Sequence, residues 1–188
     1  MPDKILVEII GEHLPYEIDV LRLTYKELER VAKKSAAKGQ EEQAYRYALI
    51  EAFCVHARSL IDFFADKRHK PSDVIASDFT VGFVTALDVA KEPFKSMRVK
   101  LNKQIFHLTK DRAIIDAKKF DVGIDGTTVL KLIEPEIAKF AAALKSEFKS
   151  FKCATGPIAV GLPFSACTAK VEQMTIIEFG PTAPARRT

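Results

Sequence analysis

Residues 44–66 have the sequence AYRYALIEAFCVHARSLIDFFAD, the longest stretch of helical character without Gly or Pro. At about 100° per residue, Arg58 and Asp62 fall on one narrow polar stripe of this predicted helix, and most of the remaining circumference is apolar. A helix that is apolar on most of its surface is buried by several neighbours. We therefore predict that this helix forms the centre of a helical bundle and that Arg58 and Asp62 pair along it.

His56 lies on the apolar side of the same predicted helix, away from the polar stripe. A buried imidazole needs hydrogen-bond partners, because a buried polar group without one costs about 1–3 kcal/mol. Two interpretations stay open. His56 is a core histidine bonded to a backbone carbonyl or a neighbouring helix, or it is a ligand-binding or acid–base group that faces an internal cleft.

Apolar residues at helical spacing predict three further long helices. They span residues 16–34, 94–108 and 128–151. Residues 4–10 are predicted to form a short strand or the start of a helix that Gly11 ends, and Pro135 is expected to disturb the last helix. The predicted fold class is all-α, with a bundle of four to five helices in residues 1–152. Residues 153–188 are predicted to form a short irregular or β-hairpin extension followed by a tail.

Composition sets the broad class of the protein. The chain has 188 residues, is 47% hydrophobic and 29% charged, and carries a formal net charge of +4. No apolar run approaches the roughly 20 residues that a membrane helix needs, so we predict no membrane partner. The three cysteines have no CxxC spacing, which argues against a disulfide framework or a zinc knuckle and favours a reducing, cytoplasmic setting. The mildly basic balance permits an anionic partner.

Motifs that a single sequence can reveal are missing here. The chain contains no P-loop, GxGxxG, GxSxG, HExxH or EF-hand pattern. A carboxylate–imidazole metal site would find the right ligand types in His56, Asp62, Asp73, Asp78 and His107. The Glu-x-x-His pairs of metal-binding helical bundles do not occur, so we predict neither a metal site nor a cofactor.

The segment LNKQIFHLT at residues 101–109 resembles the signature of HEPN domains, in which an Arg, a polar residue such as Asn, and a His follow one another within a helix. Asn102 and His107 match the Asn and the His. The Arg position holds Leu101, and Arg98 lies one turn earlier. HEPN domains are bundles of four to five helices, and several are metal-independent ribonucleases or nucleic-acid-associated partners. The resemblance implies this architecture over roughly residues 15–150.

Charge along the same segment suggests a surface for phosphate groups. Residues 91–112 contain seven Lys or Arg and two acids. In a regular helix, Lys100, Lys103, His107 and Lys110 share one face, which we call the basic face. Arg98 and Asn102 share another face, about 140° away. A basic face favours salt-dependent contact with phosphates, although a solvated surface explains it equally well.

The sequence favours a HEPN-like, non-catalytic binding or interaction module, with RNA or a protein as partner and a homodimer as an expected state. The predicted binding residues are His56, Arg58, Asp62, Lys100, Lys103 and Lys110. One alternative is a metal-independent ribonuclease in which His107 acts as general acid or base, with Asn102 and Arg98 as further catalytic residues. Another is a purely structural or protein-interaction domain. Whether the chain is an enzyme stays open.

Overall fold

The computed structural model describes residues 3–33, 39–66, 68, 70–88, 90–105 and 121–158, and at 103–105 and 122 it describes the backbone alone. Across these residues the chain is helical, with one isolated bridge between Thr80 and Leu144 and no strand. The all-α prediction is confirmed. None of the described helices has the combination of length and apolarity that a membrane span requires. The helices are α1 (Lys4–Glu8), α2 (Leu14–Lys33), α3 (Gln40–Phe64), α4 (Ala76–Phe79), α5 (Phe94–Ile105) and α6 (Thr127–Ala143).

Helix α3 is the central element, because it contacts α2, α5 and α6. It begins four residues before the predicted stretch 44–66 and ends at Phe64. Burying a large apolar side chain stabilises the fold by about 1.5–3 kcal/mol, so the inner face of α3 supplies much of the packing energy. The fully buried residues of this helix are Phe53, Cys54, Ala57, Leu60, Ile61 and Phe64. The predicted central position is confirmed.

A π-helical turn, Ile9–His13, joins α1 to α2 without a break. The prediction that Gly11 ends the first segment is therefore wrong, and residues 4–10 form no strand. A glycine inside a helix costs only about 1 kcal/mol, and the buried side chains of Ile10 and Leu14 offset that cost. The predicted apolar stripe of α2 is buried, as Ile18, Leu21, Tyr25, Leu28 and Val31.

Helix α6 ends at Ala143, eight residues earlier than the predicted end at residue 151. The chain leaves the helix there because its backbone pairs with the loop after α4. The N–H of Val81 donates to the Ala143 carbonyl at 3.0 Å, and the N–H of Lys145 donates to the Phe79 carbonyl at 2.9 Å. Helix α6 continues through Pro135, which sits in its interior and does not end it.

The first residues of the predicted extension pack on the bundle. Ala154 and Thr155 donate hydrogen bonds to α2, and the N–H of Ile158 donates to Glu134 of α6 at 3.4 Å. Packing against the bundle thus continues past residue 152 as far as Ile158. The predicted β-hairpin and tail in residues 159–188 lie outside the described residues.

Candidate ligand-binding site

Four polar side chains meet where α3 packs against α5. Arg58 and Asp62 lie four residues apart on α3, and Arg98 and Asn102 lie four residues apart on α5, so each pair occupies one face of its helix. The two faces meet because α3 and α5 share the hydrophobic core, to which Leu101 of α5 contributes a fully buried side chain. We call Arg58, Asp62, Arg98 and Asn102 the α3–α5 cluster.

Asp62 links the two arginines of this cluster. Its Oδ2 lies 3.5 Å from the Nε of Arg58, which confirms the pair predicted along α3. Its Oδ1 lies 3.2 Å from the Nη2 of Arg98 on the other helix. Arg58 also donates a hydrogen bond from Nη1 to the Oδ1 of Asn102. Each helix therefore contributes one arginine and one acceptor to the cluster.

The α3–α5 cluster is half-buried and incompletely satisfied. The side chains of Arg58, Asp62 and Arg98 are 31%, 28% and 26% exposed. Within the part of the chain that the structure describes, the Arg98 Nε is buried without a hydrogen-bond partner, and the buried Asp62 Oδ1 has only its ion-pair contact with Arg98. A buried donor without an acceptor costs about 1–3 kcal/mol. Buried polar atoms without partners are rare in native proteins, and an ion, a water or a functional role commonly explains them.

The charge of the cluster suits an anionic ligand. Two guanidinium groups surround the single carboxylate of Asp62, which leaves an excess of positive charge. A guanidinium presents a planar fork of donors that matches a phosphate bidentately. The Oδ1 of Asn102 is occupied by Arg58, so its amide nitrogen is left as a further donor. In the described ranges, no group of three or more His, Cys, Asp or Glu is placed to hold a metal ion.

His56 lies at a different interface, between α2 and α3. Its Nδ1 is 2.8 Å from the Oε2 of Glu17, and its side chain is 11% exposed. The ring of Tyr16 packs against it edge-on, with centroids 5.6 Å apart. This geometry matches the interpretation of a core histidine bonded to a neighbouring helix. It places His56 apart from the hydrogen bonds and ion pairs that join Arg58 and Asp62 to α5.

The basic face is partly neutralised within the described residues. The Nζ of Lys100 lies 2.8 Å and 3.0 Å from the two carboxylate oxygens of Asp125, which is only 5% exposed. Lys100 therefore fixes α5 to the turn before α6, and its charge is balanced. The backbone of Lys103 continues α5, but its side chain lies outside the described residues. The predicted site residues His107 and Lys110 also lie outside them.

A buried arginine that the sequence analysis did not identify lies between α2 and α6. Arg22 is 3% exposed and donates to both carboxylate oxygens of Glu134, at 2.8 Å and 2.7 Å. It donates a third hydrogen bond, 2.7 Å long, to the carbonyl oxygen of Thr155. A signal for it exists in the sequence. Arg22 follows Ile18 by four residues and precedes Tyr25 by three, and a charge inside an apolar stripe needs a buried partner.

Asp19, one turn before Arg22, holds the same C-terminal segment. Its Oδ2 accepts from the N–H of Ala154 at 2.8 Å, and its Oδ1 accepts from the N–H of Thr155 at 2.9 Å and from the Thr155 hydroxyl. Partial burial raises the pKa of Asp19, but the hydrogen bonds from Thr155 and Ala154 and the charge of Arg22 outweigh it. The pKa of this carboxyl is therefore below its usual value. We call Asp19, Arg22 and Glu134 the α2–α6 cluster.

Comparison with known proteins identifies no family for this chain. A scan against family models, a search of curated proteins and a search of solved structures each find no match to the chain.

Proposed function

We propose that this chain is a non-catalytic binding module of the HEPN-like kind and that its partner is RNA, bound through phosphate groups at the α3–α5 cluster. The observation that carries the proposal is the incomplete satisfaction of that cluster. The Nε of Arg98 is a buried donor without an acceptor among the described residues, on a side chain that is still 26% exposed.

A phosphate oxygen would supply the hydrogen-bond acceptor that the Nε of Arg98 lacks among the described residues. In the free protein the Asp62 carboxylate is the counter-ion of both Arg58 and Arg98. A phosphate oxygen accepts hydrogen bonds as a carboxylate does, and charge-assisted bonds of this kind are roughly twice as strong as neutral ones. Binding would release one arginine from Asp62 and engage its donors with the ligand. The excess positive charge of the cluster favours that exchange.

Binding is tested by titrating a fluorescein-labelled single-stranded RNA with the full chain in EDTA, at several salt concentrations, with anisotropy as the readout. We expect retention that weakens as salt rises, because counter-ions compete for the phosphates. Arg98→Ala should weaken binding. Arg46→Ala, which removes an arginine from α3 outside the cluster, is the matched control and should change binding less. Salt-insensitive binding, or equal effects of the two variants, contradicts this assignment of the site.

A metal-independent ribonuclease is the second candidate. The observation that favours it is the adjacency of Arg98 and Asn102, two of its three predicted catalytic residues, which face the same partner helix and meet the same α3 pair. The same mixtures, run on a denaturing gel, distinguish the two candidates. Cleavage that disappears in His107→Ala identifies the enzyme, in which His107 moves a proton at the ribose 2′-hydroxyl. Retention without cleavage identifies the binding module. Neither retention nor cleavage favours a structural domain or a protein partner.

A further inference from the structure

Main-chain hydrogen bonds hold the segment that follows the bundle, residues 153–158, and the side chains of Cys153 and Ile158 pack against the core. The N–H groups of Ala154 and Thr155 donate to Asp19, and the Thr155 carbonyl accepts from Arg22 at 2.7 Å. The N–H of Ile158 donates to Glu134 at 3.4 Å. The Thr155 hydroxyl, which donates to Asp19, is the one side-chain group that the segment itself contributes to these hydrogen bonds. The α2–α6 cluster therefore contacts main-chain groups that most peptides carry, the Thr155 hydroxyl, and the Cys153 thiol, which interacts with Arg22.

The arginine that contacts the segment is held by the bundle itself. Two hydrogen bonds to Glu134 fix the Arg22 guanidinium, so the donor for the Thr155 carbonyl is positioned by a residue outside the segment. Asp19 lies three residues earlier on α2, on the same side of the helix. Together they present a carboxylate and a guanidinium at fixed positions. A peptide supplies the complementary order of two N–H groups followed by a carbonyl.

We propose that the α2–α6 cluster is a receptor site for a peptide segment that has a small residue followed by Thr, and that residues 153–158 are its intramolecular occupant. This site is separate from the α3–α5 cluster, and peptide binding there does not require RNA binding. A tethered occupant acts at an effective concentration of about the millimolar range, so it excludes free peptides from the native chain. A partner segment gains access when the chain's own segment is released.

The test uses the full chain with its own occupant weakened. Thr155→Pro removes an N–H group and the hydroxyl, which are two of the three donors to Asp19. A fluorescein-labelled peptide with the sequence of residues 150–158 and Cys153→Ser is titrated by anisotropy into three proteins: the wild type, the Thr155→Pro variant, and that variant with Asp19→Ala added. We expect Thr155→Pro to bind the peptide about 10-fold or more tightly than either of the others. Equal binding by all three proteins, or no binding to Thr155→Pro, overturns the proposal.

A second readout follows the release of the segment in the wild-type background. Cys153 lies within the segment and is half-buried, and burial raises the pKa of its thiol to about 11. Alkylation at Cys153, resolved by peptide mass spectrometry, should accelerate about 10-fold in Thr155→Pro, because two of the three bonds from the segment to Asp19 are lost while the charge of Asp19 beside the thiol is kept. The exposed-site variant Glu12→Ala, outside the segment, is the control and should leave the rate unchanged. Buried Cys54 reports whether the bundle itself stays folded. An unchanged rate at Cys153 overturns the proposal, and acceleration with Cys54 still protected supports it.

Discussion

Arg22 and Arg98 are both arginines that pair with a carboxylate on a neighbouring helix, yet their surroundings differ. Arg22 is 3% exposed, and its partner Glu134 is 12% exposed. Three N–H groups of Arg22 donate hydrogen bonds. Arg98 is 26% exposed, and its Nε is buried without a hydrogen-bond partner in the described ranges. The described fold supplies acceptors for three donors of Arg22. It leaves the Nε of Arg98 without an acceptor.

The difference separates an ion pair whose donors are satisfied within the described fold from one that keeps an unsatisfied donor for a phosphate. In the α2–α6 cluster, removing Arg22 or Glu134 leaves the other charge largely buried without its ion-pair partner, so this pair is tied to folding. In the α3–α5 cluster, the charged side chains are about a quarter to a third exposed, and the buried Nε of Arg98 has no acceptor to lose when the pair opens. We therefore expect the loss of Arg22 to act mainly on stability and the loss of Arg98 to act mainly on RNA binding.

The largest expected effect is on folding. Arg22→Met should lower the free energy of unfolding by about 3–5 kcal/mol, because it leaves the Glu134 carboxylate buried without its partner. Arg98→Met, at a half-exposed pair, should lower it by about 1 kcal/mol or less. Urea unfolding of both variants and the wild type measures the contrast. Equal losses in the two variants contradict the distinction between the clusters.

The next effect is on RNA. Arg98→Ala should weaken binding about 10-fold or more at low salt, since one charge-assisted contact is worth about 1.5–3 kcal/mol. The slope of log affinity against log salt should also fall by about 1. Anisotropy titrations over a salt series measure both quantities, with Arg46→Ala as the matched loss of charge. A change in affinity that leaves the slope as it was indicates an indirect effect through folding.

A smaller effect concerns pH. The pKa of Asp19 is lowered in the folded chain, so its ionised form stabilises the fold at pH values above the unfolded pKa of about 3.9. That contribution is lost as pH falls through the folded pKa. The difference in unfolding free energy between wild type and Asp19→Asn should therefore be constant above about pH 5 and should shrink below about pH 4. Urea titrations at each pH measure it, and Glu12→Gln controls for the loss of a negative charge. A difference that grows with acid contradicts the expected sign.

The helical spacing of apolar and polar residues predicted the features of this fold that lie within a single helix. The buried stripe of α2, the central position of α3 and the Arg58–Asp62 pair all follow from the spacing of residues along a single helix. The shared face of Arg98 and Asn102 was predicted for the same reason. The end of α6 was missed because it depends on backbone pairing with a loop about sixty residues earlier, which local spacing does not contain.

The candidate sites were harder to predict, because a site depends on which helices become neighbours. Sequence spacing left His56 open between a core histidine and a binding residue, and packing gives it Glu17 of α2 as a partner. Lys100 belonged to a predicted basic face, but the buried carboxylate of Asp125 neutralises it. No local pattern connects Arg22 to Glu134, which follows it by 112 residues. For Arg22 the usable signal was a charge inside an apolar stripe.

The central claim is that the α3–α5 cluster binds phosphate groups in competition with Asp62, and an RNA titration of Asp62→Asn tests it most directly. Removing the competing carboxylate should raise RNA affinity by about 2- to 5-fold, which corresponds to the weak net energy of a half-exposed ion pair. Glu12→Gln removes a negative charge outside the cluster and should raise affinity less. Tighter binding by Asp62→Asn than by this control supports the account. Binding that is weaker, or equal to that of the control, would show that Asp62 only ties α3 to α5 and would contradict it.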